Sequence, residues 1–210
     1  MKHDCIMVHA TQSALRIGSR RIKNFTRARV LPLIGLGLLV SANVQAQQTK
    51  PSEYQVKAAY VYNFGKFVKW PDDAAANRSG AFTICVLGDD PFGTVLQSTL
   101  AGESLGGKSV AVKRVPTPQD AASCHILFLS TAQETKLKEI LVALGQASVL
   151  TVSDIPEFSQ RGGMIQFVLQ GDRVRFEINR ANAEGNGLIL TSDLLKVAVV
   201  VRGSIRKGDQ

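Results

Sequence analysis

Apolar and polar residues between positions 53 and 202 alternate between helical and extended periods, with short breaks. Ser52-Glu-Tyr-Gln55 has the form of a capping box, a hydroxyl three residues ahead of an amide side chain. Val56, Ala59, Tyr60, Asn63, Phe64, Phe67 and Val68 then recur at helical spacing until Trp70-Pro71 ends the run. That predicts a long amphipathic first helix. Phe82–Leu87 is a short apolar run closed by Gly88-Asp-Asp-Pro91, the pattern of a strand buried on both faces. With Asp90 as N-cap and Pro91 in the first helical position, a helix should follow to about Leu100. Ser109–Val115 alternates as a strand, and His125–Leu129 is a further apolar strand. Glu134–Leu144 has helical periodicity ending at Gly145, and Ser148–Val152 is a fourth strand.

Three strand–helix alternations favour a parallel sheet covered on both faces. The last third differs. Residues 163–170 and 173–179 flank Gly171-Asp172, an antiparallel hairpin pattern, and residues 179–185 and 192–201 read as helices. The expected fold class is α/β: a single three-layer α/β/α sandwich with a mixed, mainly parallel sheet. Its C-terminal antiparallel hairpin should lie toward one edge.

The first 46 residues have another character. Arg16, Arg20, Arg21, Lys23, Arg27 and Arg29 precede an eleven-residue apolar run, Val30–Val40, and a small-residue exit, Val44-Gln-Ala46. Basic, apolar and small regions in that order make a secretory signal. The apolar run is well short of the roughly 20 residues that span a bilayer. The expectation is a signal peptide over 1–46, a periplasmic α/β domain over 47–202 and a basic tail over 203–210. Of the net charge of +8, residues 1–46 carry +6 (seven Lys/Arg, one Asp), leaving +2 for the remainder. The basicity belongs to the leader, so it does not support nucleic-acid binding. Cys5 also leaves with the leader, so Cys85 and Cys124 remain. An oxidising compartment favours a disulfide between them; two separate buried thiols are the alternative.

Candidate chemistry is sparse. Gly102-Glu-Ser-Leu-Gly-Gly-Lys108-Ser109 fits the phosphate-loop pattern, but a helix precedes it and a strand follows, the reverse of what phosphate binding needs. Asp89 and Asp90 stand at a strand end, where open α/β sheets place ligands, yet a helix start explains Asp90 and Pro91 as well. His125 is the only histidine after the leader, with no second His to complete a catalytic pair and no spacing that suggests a metal site. Neither an enzyme nor a cofactor is expected. One polar grouping remains: Arg161 before a strand, Arg173, Arg175 and Glu177 on one face of the next, and Asn179 at its end. It fits either a solvated edge strand with cross-strand ion pairs or a patch contacting a partner or ligand.

Several segments together resemble the YfiR-like periplasmic proteins. They are Lys57-Ala-Ala-Tyr60-Val-Tyr-Asn-Phe64-Gly-Lys-Phe67-Val-Lys-Trp70-Pro71, Ile84-Cys-Val-Leu-Gly88, Arg161-Gly-Gly-Met-Ile-Gln-Phe167, Arg175-Phe-Glu-Ile-Asn179 and Gly187-Leu-Ile-Leu-Thr-Ser192-Asp-Leu-Leu195. The resemblance covers about residues 53–202. It implies an interaction protein: a periplasmic repressor that binds the sensor of an inner-membrane diguanylate cyclase and lowers cyclic-di-GMP signalling and biofilm formation. An outer-membrane lipoprotein can sequester such a repressor, and a homodimer is expected. Carried over, Cys85 and Cys124 match the family's stabilising disulfide, while a second pair found in some members has no counterpart. Two other readings stay open, a periplasmic small-molecule-binding sensor subunit for a membrane signalling protein and a hydrolase with an unfamiliar site.

Overall fold

In the computed structural model, which describes residues 51–203, Ser52 caps helix α1 (Glu53–Phe67) from both directions. Its Oγ accepts from Gln55 N–H at 3.3 Å, and Gln55 Oε1 accepts from Ser52 N–H at 2.7 Å. The buried stripe is Lys57, Ala58, Val61 and Phe64, continued by Val68, while Ala59 and Phe67 are exposed. The helix is thus turned by about one position from the stripe expected of its apolar residues. Its partners account for the turn: Asp154 holds Lys57 inward, and Phe64 packs on Phe167 and Phe176 with ring centroids 5.8 and 5.1 Å away. The expected leader and all but the first residue of the expected tail lie outside the described residues.

Beyond β1 (Val68–Lys69), the chain enters β2 (Ala81–Leu87), then α2 (Val95–Thr99), β3 (Ser104–Leu105) and β4 (Lys108–Val115). It continues through α3 (Pro118–Ala121), β5 (Ile126–Leu129), α4 (Leu137–Leu144) and β6 (Leu150–Ser153). The last third holds β7 (Ile165–Gln170), β8 (Arg173–Asn179), α5 (Arg180–Gly185), β9 (Ile189–Leu190), α6 (Ser192–Val197) and β10 (Val200–Arg202). The main sheet has the order β10-β8-β7-β6-β5-β2-β4-β3, and β1 pairs separately with β9. The run from β4 through β7 is parallel; β7–β8 and β3–β4 are antiparallel. This is the mixed, mainly parallel α/β sheet with a C-terminal hairpin.

Side-chain alternation divides the core into two faces. Phe82, Ile84, Val86, Ile126 and Phe128 pack with α1, α2 and α6; Cys85, Leu87, Leu127 and Leu129 pack with α3 and α4. The second cluster covers only β2, β5 and the loop after β6, so that face of β7, β8 and β10 is mainly polar, with Val168 and Val200 among its side chains. The β7–β8 turn is two residues long, with Gly171 at φ 57°, a conformation that suits glycine.

Two expected elements differ. Residues 91–94 are turns, and α2 begins only at Val95. Asp90 Oδ1 accepts from Phe92 N–H at 2.9 Å while Oδ2 meets Arg114 at 2.5 Å, so Asp90 caps a turn rather than a helix. The final helix stops at Val197, and Val200–Arg202 forms β10, parallel to β8. The valine-rich run after Lys196 favours an extended backbone once a strand edge is available. Consequently β8 is an inner strand over Glu177–Asn179, while its Arg173–Arg175 half keeps the open edge considered above.

Candidate functional site

Where the loop after β6 crosses the polar face of β7, β8 and β10, a polar cluster is centred on Ser159, a fully buried residue of that loop. Ser159 N–H donates to Gln166 Oε1 at 3.1 Å, and its hydroxyl lies 2.9 Å from Glu177 Oε2. Arg202 donates from Nη2 to Glu177 Oε2 at 3.1 Å and from Nε to Ser159 Oγ at 3.3 Å. Asn179 Nδ2 donates to Ser159 O at 2.8 Å, while its Oδ1 accepts from Asn182 N–H at 3.0 Å and starts α5. Strand register places these groups together: Gln166 stands opposite Glu177, and Arg202 opposite Asn179. A serine bonded to a carboxylate resembles half of a nucleophile–base pair, but this hydroxyl has no exposed surface and no histidine beside it. What the cluster does chemically is fasten β10 and the 154–163 loop to β8.

The other three residues singled out by sequence lie elsewhere. Arg161 reaches Glu134 Oε1 at 3.2 Å, Glu134 O at 3.2 Å and Pro156 O at 3.3 Å, tying its loop to the segment before α4. Next to it, Gly163 has no room for a side chain, since a Cβ would stand 2.1 Å from the Phe158 ring. Arg173 and Arg175 have no partner among the described residues. They help to line a groove of about 510 Å3 between the start of α1 and the hairpin, together with Val56, Tyr60 and Leu169. Arg173 and Asn179 stand at opposite ends of β8, roughly 20 Å apart at about 3.3 Å per residue, so one face does not make one site.

A second polar cluster escaped the sequence reading. Lys57, 3 % exposed on α1, lies 2.7 Å from Asp154 Oδ2 and 2.5 Å from Glu53 Oε1. Tyr54 O–H donates to the same Asp154 oxygen at 2.9 Å, and the ammonium sits 4.5 Å from the centre of the Tyr54 ring. Burial first, then this hydrogen bond and the neighbouring carboxylates, raises the Tyr54 phenol above its ordinary range. The Glu53–Lys57 spacing was visible as an i, i+4 pair; the link to Asp154, 97 positions away, was not.

Cys85 of β2 is disulfide-bonded to Cys124, with both residues buried and Cα atoms 6.1 Å apart. In the phosphate-loop-like segment, Gly106 and Gly107 form the β3–β4 turn, and Lys108 Nζ donates to Asn77 O at 3.1 Å. Among the described residues, no three His, Cys, Asp or Glu side chains are grouped to hold a metal ion. No helix among them is long and apolar enough to cross a membrane.

The YfiR/HmsC-like family model matches residues 54–199, nearly all of the described chain. Among solved structures, a conserved domain protein from Vibrio cholerae O1 biovar eltor strain N16961 superposes with a TM-score of 0.51 at 11% identity, over 72% of this chain and 60% of that one. That likeness concerns the fold, and the matched part spans about three fifths of the Vibrio protein. The ABC domain in complex with L-Trp from Streptococcus pneumonia matches at a TM-score of 0.43 and 14% identity, over 57% of this chain and 54% of that chain.

Proposed function

This chain belongs to the YfiR/HmsC-like family of periplasmic regulators of diguanylate cyclases, and from that membership we propose that it represses an inner-membrane diguanylate cyclase by binding the enzyme's periplasmic sensor. The observation that carries this reading is the extent of the family match, which runs from the first turn of α1 to the residue before β10. Repression of this kind needs no catalytic group. It needs a folded surface that binds one state of the receptor more tightly than the other. In this reading the protein is a periplasmic homodimer, and an outer-membrane lipoprotein relieves repression by sequestering it. Arg173 and Arg175 are the candidate partner contacts, since both guanidinium groups lack a partner among the described residues. Arg161, Glu177 and Asn179, the other candidates, are engaged in the contacts given above, apart from that pair.

Deletion of the gene tests the proposal. Cyclic-di-GMP and biofilm mass should both rise, and exported wild-type protein should restore them. Unchanged cyclic-di-GMP in a strain expressing the cognate cyclase would overturn it. A second reading, a small-molecule-binding sensor subunit, draws on the groove of about 510 Å3 that Arg173 and Arg175 help to line.

A further inference from the structure

A cavity of about 380 Å3 lies away from the hairpin, where the end of α1 and the Trp70 segment meet β2 and the β3–β4 turn. Trp70, Phe82 and His125 give it three ring walls, and Lys69, Lys108 and Asp72 supply its charges. The rings support one another. His125 stacks on Phe82 with centroids 4.2 Å apart, and Trp70 stands edge-on to both at 5.2 and 5.7 Å. Trp70 Nε1–H is already used, donating to His125 O at 3.1 Å, so the indole offers the cavity surface rather than a donor.

His125 is 2 % exposed, and its Nδ1 accepts from Thr83 N–H at 3.0 Å. In the neutral ring that bond leaves the proton on Nε2. Nε2 has no partner among the described residues, and the His125 ring lines this cavity. Burial, and then the charge of Lys108, lowers the imidazole pKa to about 4, which keeps the ring neutral near pH 7. Lys108 spends one N–H on Asn77 O and has others to offer. The two ammonium groups outnumber the single carboxylate, which disfavours a cationic guest.

We propose that this cavity binds a small carboxylate with a flat apolar body, the rings holding the body and Lys108 Nζ and His125 Nε2–H receiving the carboxylate. The volume suits a compact small molecule. Two donors on one cavity wall, one of them charged, suit a carboxylate's two oxygens. This ligand site stands independently of the repressor reading, because its test contains neither a cyclase nor a cell.

Trp70 is the only tryptophan in the chain, so intrinsic fluorescence of the purified full-length protein reports on this cavity. Benzoate is the probe, benzamide its neutral isostere and inorganic phosphate the anion without a flat body. Benzoate should change the emission saturably, with benzamide at least about tenfold weaker, the worth of a charge-assisted bond. Phosphate should leave the emission unchanged. Lys108→Gln should weaken benzoate about tenfold while its circular dichroism matches that of the wild type. If Lys108→Gln does not fold, the wild-type ratio of benzoate to benzamide decides alone. Absence of a saturable benzoate signal, equal affinity for benzamide or phosphate, or undiminished affinity in folded Lys108→Gln would each overturn the proposal.

Discussion

His125 shows how one side chain couples packing to pH. Buried between Phe82 and Trp70 and facing the charge of Lys108, it is held neutral, its pKa lowered from 6.5 to about 4. A base whose folded pKa is depressed binds fewer protons folded than unfolded between those two values. Its contribution to stability is therefore complete above pH 6.5 and is lost as the pH falls toward 4, by up to about 3 kcal/mol. Urea midpoints measured from pH 7 to 4 should fall in the wild type and fall less in His125→Gln, and parallel profiles would exclude this assignment. The sequence showed His125 only as a histidine leading an apolar strand. Its partners Thr83, Phe82 and Lys108 lie on other strands, so neither its tautomer nor its charge state could be read locally.

Among the elements, β2 and the α3–β5 turn are joined by the Cys85–Cys124 bond, which closes a loop of 39 residues. Constraining a loop of that length restricts the unfolded chain and stabilises the fold by about 4 kcal/mol in the entropic account. Thiol titration of the native oxidised protein should find neither cysteine free. After reduction in denaturant and refolding, the melting temperature should drop by an amount consistent with about 2–5 kcal/mol. Two titratable thiols in the untreated protein would contradict the bond. Most strands and helices here were legible in advance, because periodicity, caps and breakers act within a few residues. The misreadings fell where local preference was ambiguous. Residues 198–202 could extend a helix or form a strand, and the open side of β8 decided for the strand. Asp90-Pro91 could start a helix or a turn, and the ion pair with Arg114 accompanies the turn.

For the whole molecule, the outstanding proposal is export, with residues 1–46 removed as a leader. Mass spectrometry of protein from a periplasmic extract should give an N-terminus near Gln47, and intact leader on the protein in the cytoplasmic fraction would refute it. Recognition of the family was available from sequence because its motifs recur in order along residues 54–199, and order survives without coordinates. By itself the sequence determined the class of sheet, the hairpin, the cap of α1 and the identity of the sole cysteine pair after the proposed leader. Each follows from neighbours along the chain or from simple counting. Only the tertiary structure decided that Arg161, Arg175 and Asn179 belong to different places, that Lys57 is buried against Asp154, and that Ser159 joins three strands. Those arrangements depend on which faces meet after the sheet is assembled, between residues up to 97 positions apart, and no short-range pattern records them.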